Sequence, residues 1–230
     1  MEDINQNLVT ISNKLVTACY NLTLSEKRLL LCVLSKINNN PNDFETLELD
    51  KFYYISVQEY ADLYRINRHT AAIDAKKAVK KLFGRFVRIA EVDGTVETHW
   101  VSSVKYFTDG SCIGIKWSPD IIPLISELRR NFQSYRLRFL AKMSSYYAVR
   151  YYELLESALQ KNQNKLEFSI DELKKMFVIE EKYKLFADLK KRVIEKPIKD
   201  LVQNTNLNVS IHYRKNGRQI SSVIFLVNRV

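Results

Sequence analysis

One phrase occurs twice in this chain of 230 residues. The first copy is Ser56-Val57-Gln58-Glu59-Tyr60-Ala61-Asp62-Leu63-Tyr64-Arg65-Ile66, and the second is Ser169-Ile170-Asp171-Glu172-Leu173-Lys174-Lys175-Met176-Phe177-Val178-Ile179. Both read Ser, apolar, x, Glu, apolar, x, x, apolar, aromatic, x, Ile. Ser followed three residues later by Glu is a capping box, in which the hydroxyl accepts the third helical amide and the carboxylate reaches back to the cap. Each phrase therefore opens a helix. A basic segment follows each one, Asp74-Ala75-Lys76-Lys77-Ala78-Val79 and Asp188-Leu189-Lys190-Lys191-Arg192-Val193. The phrases are offset by 113 residues and the basic segments by 114, which predicts a single inserted residue between the helices of one copy. A duplicated helix-turn-helix with a basic second helix points to double-stranded DNA.

Charge is divided unevenly between the copies. Residues 1–131 carry 17 Lys and Arg against 16 Asp and Glu, whereas 132–230 carry 19 against 10, so nearly all of the net +10 lies in the second half. A basic surface gains affinity for a duplex by releasing condensed counterions, which makes the second half the expected electrostatic anchor.

Further signals fill in the architecture. Thr23-Leu24-Ser25-Glu26 is a third capping box, and its helix is expected to reach Ile37 with Leu29, Leu30, Val33, Leu34 and Ile37 on one stripe. Residues 38–43 read as a loop and 52–55 as a strand. Asn67-Arg68-His69-Thr70 is a turn and cap before a helix ending near Phe83 and Gly84. Asp93-Gly94 and Asp109-Gly110 each sit between β-rich runs, as hairpin turns do. Ser118-Pro119-Asp120 is expected to open a helix through Leu128, and 135–159 to be helical, with Tyr146, Tyr147, Tyr151 and Tyr152 packed in the core. Leu166-Glu167-Phe168 reads as a strand. A last hairpin, 208–213 with 220–227, carries Arg214-Lys215-Asn216-Gly217-Arg218 as its tip. Helix-turn-helix followed by a hairpin is the winged-helix order, so the expected fold is α+β, two tandem winged-helix domains at 1–131 and 132–230.

Helical phasing at about 100° per residue separates the faces of the basic helices. In the second, Leu185, Phe186, Leu189 and Val193 are expected inside. Lys184, Ala187, Asp188 and Lys191 lie opposite, facing a major groove, with Lys190 and Arg192 placed for phosphates. In the first, Ala72, Ala75, Val79 and Leu82 are expected inside, while Thr70, Ile73, Asp74, Lys77 and Lys81 point away. Ile73 either touches a thymine methyl or packs on the wing. Arg68 and His69 suit phosphates at the helix start, and Arg214, Lys215 and Arg218 suit a minor groove or backbone at the wing tip.

Catalytic chemistry finds little support. There is no GxxxxGK[ST] loop, His69, His99 and His212 are isolated, and no His-apolar-His pair supplies the metal site of a nicking enzyme. No cofactor or metal is expected. Cys19, Cys32 and Cys112 form no CxxC, and Cys19 and Cys32 are expected to pack in helices. With no signal peptide and no apolar run long enough for a bilayer, a reducing cytoplasm and no membrane partner are expected.

The ordered set of motifs resembles the iteron-binding plasmid replication initiators. Ser145-Tyr146-Tyr147-Ala148-Val149-Arg150-Tyr151-Tyr152-Glu153-Leu154-Leu155 resembles that family's S-x-Y-x-x-R-x-Y-E-L-L helix. Residues 186–202, with Lys190-Lys191-Arg192-Val193-Ile194 and Pro197-Ile198-Lys199, resemble its recognition region. Asn216-Gly217-Arg218 before Ile224-Phe225 is similar to its closing hairpin, and Asn21-Leu22-Thr23-Leu24-Ser25-Glu26-Lys27-Arg28-Leu29 to its opening helix. The resemblance implies monomers on directly repeated origin sites and dimers that repress the initiator's own promoter. It also implies recruitment of a host initiator and replicative helicase, with chaperones converting dimer to monomer. The family's paired basic residues fall on Lys191 and Arg192, and Lys lacks the planar fork of Arg. The dimer contact is expected in the first domain, at a strand edge within 98–107 or 113–117. Two other readings stand beside this one, a dedicated dimeric repressor with a duplicated winged helix and a nicking enzyme.

Overall fold

The computed structural model describes residues 8–37, 47–126 and 132–230, so the loop expected at 38–43 lies outside the described residues. The chain divides into two compact units. One comprises the residues up to Leu15 together with Leu22–Lys142, and the other comprises Val16–Asn21 together with Met143–Val230. The division after Lys142 lies beyond the boundary expected at 131, and the inclusion of 16–21 in the second unit has no sequence signal.

The first unit contains β1 (Leu8–Ser12), the start of α1 (Asn13–Thr17), α2 (Leu24–Ile37), β2 (Tyr53–Ser56), α3 (Val57–Tyr64), α4 (Arg68–Leu82), β3 (Phe86–Ala90), β4 (Thr95–His99), β5 (Val101–Tyr106), β6 (Cys112–Trp117), α5 (Ile122–Ile125), β7 (Phe132–Arg136) and α6 (Leu137–Ala141). The expected box starts α2: the Glu26 amide donates to Thr23 Oγ1 at 3.3 Å and the Thr23 amide to Glu26 Oε2 at 2.6 Å. The buried side of α2 is wider than one stripe, because Leu31 and Cys32 are buried as well. Burial pushes the Cys32 thiol up to about 12. Cys19, expected in a helix, lies outside one in a single bridge position.

Strands β2, β6 and β5 form one antiparallel sheet in the order β2-β6-β5, while β3 pairs with β4 and β1 with β7. Ile55, Ile113, Ile115 and Trp117 are buried, and α2, α3 and α4 contact these strands. The edge expectation needs correction on one strand. β6 is hydrogen-bonded on both sides, so the run expected at 113–117 offers no edge, whereas β5, within the run expected at 98–107, lies at the sheet edge opposite β2.

Two helix expectations also need correction. The helix expected at 118–128 is reduced to Ile122–Ile125, whose cap Ile121 brings no side-chain hydrogen bond; residues 127–131 lie outside the described residues. The helix expected at 135–159 is interrupted. Tyr135 and Arg136 pair with Val9 and Leu8 in a sheet, and Ser145 is extended at φ −126°, ψ 133°. Periodicity alone carries no signal for a strand partner so distant in sequence.

The second unit contains α7 (Tyr146–Gln160), β8 (Lys165–Ser169), α8 (Ile170–Met176), α9 (Phe186–Leu189), a π-helical turn over Lys190–Glu195, α10 (Lys196–Asn204), β9 (Leu207–Asn216) and β10 (Gln219–Arg229). α7 is buried on nearly every side, with Tyr146, Tyr151 and Tyr152 in the core and Tyr151 against Phe177 and Phe225. A fully buried Arg150 lies on this helix. It donates to the Tyr20 hydroxyl at 2.6 Å, to the Ala18 carbonyl at 3.0 Å and to Glu153 Oε2 at 3.3 Å. Burial alone would lower the guanidinium's pKa, but Tyr20, Tyr146 and Glu153 hold it above its ordinary value. The Tyr146 hydroxyl donates to the Tyr20 carbonyl at 2.9 Å, and Asn21 Nδ2 to the Phe177 carbonyl at 2.8 Å, so residues 18–21 are tied into this core at several points.

Candidate nucleic-acid interface

The two units repeat one frame. The second sheet runs β8-β10-β9, matching β2-β6-β5 strand for strand. In each unit a strand ends on the boxed Ser, a short helix follows, and a longer helical run leads on to a hairpin. Both boxes close: the Glu59 amide donates to Ser56 Oγ at 3.0 Å and the Glu172 amide to Ser169 Oγ at 3.1 Å, with both return bonds at 2.8 Å. Both first helices end on a left-handed residue, Arg65 at φ 52° and Val178 at φ 51°. The next amide in each copy reaches back five residues, Ile66 to the Ala61 carbonyl at 3.0 Å and Ile179 to the Lys174 carbonyl at 2.9 Å. This is the Schellman closure of a helix. Strand order also identifies the first wing as β5–β6. The β3–β4 hairpin has no counterpart in the second unit.

The turn between the helices differs most. In the first unit it is residues 65–67, with Asn67 capping α4 through a bond from the Thr70 amide at 2.8 Å. In the second it is 177–185, with Tyr183 also left-handed. The single inserted residue expected from the offset is therefore replaced by a longer turn and a later helix start. Lys184, expected on the helix, lies in that turn and is exposed. Leu185, expected inside, is the helix cap and is 68% exposed.

The second helical run buries Leu189, Val193 and Ile194, with Phe186 half-buried and edge-on to Tyr213. Ala187, Lys191 and Arg192 are exposed and Asp188 is half-buried. Arg192 Nε lies 3.6 Å from Asp188 Oδ1. Lys190 is half-buried; its ammonium is 3.4 Å from Glu195 Oε1 and 5.1 Å from the Tyr213 ring centroid. Regular phasing is lost over Lys190–Glu195, where the Lys196 amide bonds the Lys191 carbonyl five residues back. Pro197 supplies the reason. It has no amide to offer Val193, and its ring would strike that carbonyl in a regular helix, so the turn widens.

In the first unit α4 buries Ala71, Ala75, Ala78, Val79 and Leu82, with Ala72 half-buried. Arg68, His69, Lys77 and Lys81 are exposed, Thr70 and Asp74 are half-buried, and Ile73 is 40% exposed.

The wings differ in charge. The second is longer than expected, because β9 and β10 pair out to Asn216 and Gln219. Its turn is Gly217-Arg218, with Gly217 at φ 61°, as the first central position of a type II′ turn requires. Arg214 and Lys215, expected at the tip, therefore lie in β9 beside it. Arg214 Nη2 is 3.1 Å from Glu167 Oε2, while Lys215 and Arg218 are exposed. The first wing turns through Asp109-Gly110, where Asp109 Oδ1 accepts the Ser111 amide at 3.0 Å and hydroxyl at 2.8 Å. These bonds hold its carboxyl below the usual range. The inserted β3–β4 hairpin ends in Glu91-Val92-Asp93-Gly94. Neither hairpin tip of the first unit is basic, a contrast visible in the sequence only once the paired strands are known.

The family described as Initiator Replication protein, WH1, matches residues 8–156, and that described as Initiator Rep protein, WH2, matches 169–227. The chain belongs to the replication initiator family. The two descriptions fall on the two repeats of the frame. A "Replication initiation protein" of Escherichia coli is 29% identical over 229 residues, covering 97% of this chain and 70% of that protein. The fold is that of the Pi initiator protein solved in complex with iteron DNA, at a TM-score of 0.77 and 23% identity, over 97% of this chain and 98% of that one. Domains 2 and 3 of RctB are similar at a TM-score of 0.51 and 7% identity, over 90% of this chain and 83% of that one. Among the described residues no helix is long and apolar enough to cross a membrane.

Proposed function

We propose that this chain starts plasmid replication by binding directly repeated duplex sites at the origin with both winged helices. Monomers on neighbouring repeats nucleate strand opening and recruit the host initiator and replicative helicase, and a dimer, kept in balance with monomer by chaperones, represses the initiator's own promoter. The chain itself catalyses no reaction and works in the cytoplasm. The observation that carries this reading is family membership spanning both repeats of the frame. The exposed Lys191 and Arg192 on the second helix and the basic second wing add to it. These side chains suit a major groove and its flanking phosphates. That the Pi initiator was solved on iteron DNA points to the same class of ligand.

The test is a titration of duplexes carrying one copy, two direct copies or an inverted pair of the bound site, repeated across salt concentrations. Successive binding of monomers to direct copies is expected, with log affinity falling by about 0.9 per neutralised phosphate for each decade of salt. Binding only to the inverted pair would replace the initiator by a dedicated repressor, and a flat salt response would remove the phosphate anchor.

A further inference from the structure

The outer face of the β2-β6-β5 sheet carries chemistry that reading a duplex does not use. Tyr54, Gly114 and Lys105 form one row across the three strands. By strand alternation Phe52, Lys116 and Phe107 share that face. The Phe52 and Tyr54 rings are nearly parallel, with centroids 6.2 Å apart and planes at 24°, and Phe107 meets Tyr54 edge-on at 5.7 Å. Tyr54 and Phe107 remain 40% and 37% exposed. A Cβ at Gly114 would stand 2.8 Å from Tyr54 Cε1, so the glycine seats one side of that ring. Lys105 Nζ lies 5.3–6.0 Å from the centroids of Phe52, Tyr54 and Phe107, and Lys116 Nζ lies 5.1 Å from that of Phe52. Lys116 also pairs with the exposed Asp50 at 3.2 Å.

The second unit acts as an internal control. Its corresponding row is Glu167, Ile224 and His212. The frame therefore does not require aromatic rings on this face. Flat rings interleaved with ammonium groups match an alternation of bases and phosphates. A duplex hides its base faces, so rings of this kind gain only from unpaired bases. Lysine is depleted at the centres of protein–protein interfaces, which argues against a protein partner.

We propose that this face is a platform for an unpaired nucleic-acid strand, with bases stacking on Tyr54 and Phe107 and Lys105 and Lys116 meeting the backbone phosphates. The platform deepens the reading above and rests on it for its role, holding one strand as the origin opens.

The test uses the full chain and a labelled mixed-sequence single strand of about 20 nucleotides, longer than the roughly 4–16 nucleotides that a single-strand-binding fold covers. A duplex carrying the bound site is titrated in parallel. Tyr54→Leu is expected to weaken single-strand binding about tenfold, the loss of one base–aromatic stack. Tyr54→Phe is expected to retain it, and both variants are expected to bind duplex as the parent does. Lys191→Ala with Arg192→Ala is expected to do the reverse, losing the duplex and keeping the single strand. Equal single-strand affinity in Tyr54→Leu and the parent, or none in the parent, would overturn the platform. So would a Tyr54→Leu variant whose only change is weaker self-association in sedimentation, which would assign the face to a second copy of the chain. A parent that bound single strand but no duplex would overturn the initiator reading and leave the platform standing.

Discussion

The two winged helices share strand order, capping boxes and left-handed helix ends, yet they differ in turn, second helix and wing. The first has a tight turn, a regular α4 and an acidic turn in its wing. The second has a nine-residue turn at 177–185, a π-helical segment and a wing bearing Arg214, Lys215 and Arg218. Features that the backbone itself requires are repeated. Features that face outward have diverged, and the basic excess has gathered on one copy. The Ser and Glu of each capping box are kept in both copies, while the residues that the frame exposes are exchanged.

The largest expected effect breaks the comparison at the core. Arg150 is buried among Tyr20, Glu153 and the Ala18 carbonyl. Removing one member of a buried ion pair costs about 3–5 kcal/mol. Arg150→Ala is expected to lower the unfolding midpoint of the second unit in a denaturant titration while the first keeps its own. Loss of both units together would mean that they unfold as one.

Next comes recognition. Lys191→Ala with Arg192→Ala is expected to reduce specific duplex affinity on the order of 100-fold, which is about 2.7 kcal/mol, and Lys77→Ala less than tenfold. Equal losses in an equilibrium binding assay would remove the asymmetry between the two helices.

A smaller effect lies in the helix ends. Val178 is β-branched in the left-handed region at φ 51°, a conformation that costs roughly 1–2 kcal/mol and that Asn adopts more readily. Val178→Asn is expected to raise stability by about 1 kcal/mol in chemical denaturation. A decrease would show that the half-buried valine contributes more by packing than it loses in strain.

The smallest effect is on acid stability. Burial works to raise the Glu59 carboxyl, but Lys36 and Ser56 outweigh it and hold the group below its usual value. Ser169 lowers Glu172 in the same way. A depressed folded value means that both boxes contribute fully above the unfolded carboxylate value of about 4.3 and lose that contribution as pH falls below it. Glu59→Gln is expected to flatten the stability curve below about pH 4.3. An unchanged curve would show that the box does not titrate with folding.

The sequence made the repeat legible because capping boxes are local, with donor and acceptor three residues apart. Hairpins at Asp93-Gly94 and Asp109-Gly110 were legible for the same reason. The break before α7 was not, because Ser144 and Ser145 donate their amides to Asp200, at 2.9 and 3.1 Å, and that partner is more than fifty residues away. The widened turn over Lys190–Glu195 escaped because phasing assumes regular turns, whereas Pro197 acts backward along the chain to open it. Of the candidate site, Lys191, Arg192, Lys77 and Lys81 stand exposed as phasing placed them. Lys184 and Leu185 do not lie on the helix, since the longer turn takes them. The aromatic face around Tyr54 was hidden because its row joins three strands far apart in sequence.

In the proposed function one chain reads a duplex with two unequal winged helices. Selection of bound sites from random duplex DNA tests it most directly. An asymmetric consensus spanning two successive grooves is expected, with its stronger half lost in the Lys191→Ala, Arg192→Ala variant. A palindromic consensus, or a stronger half that survives that variant, would contradict it.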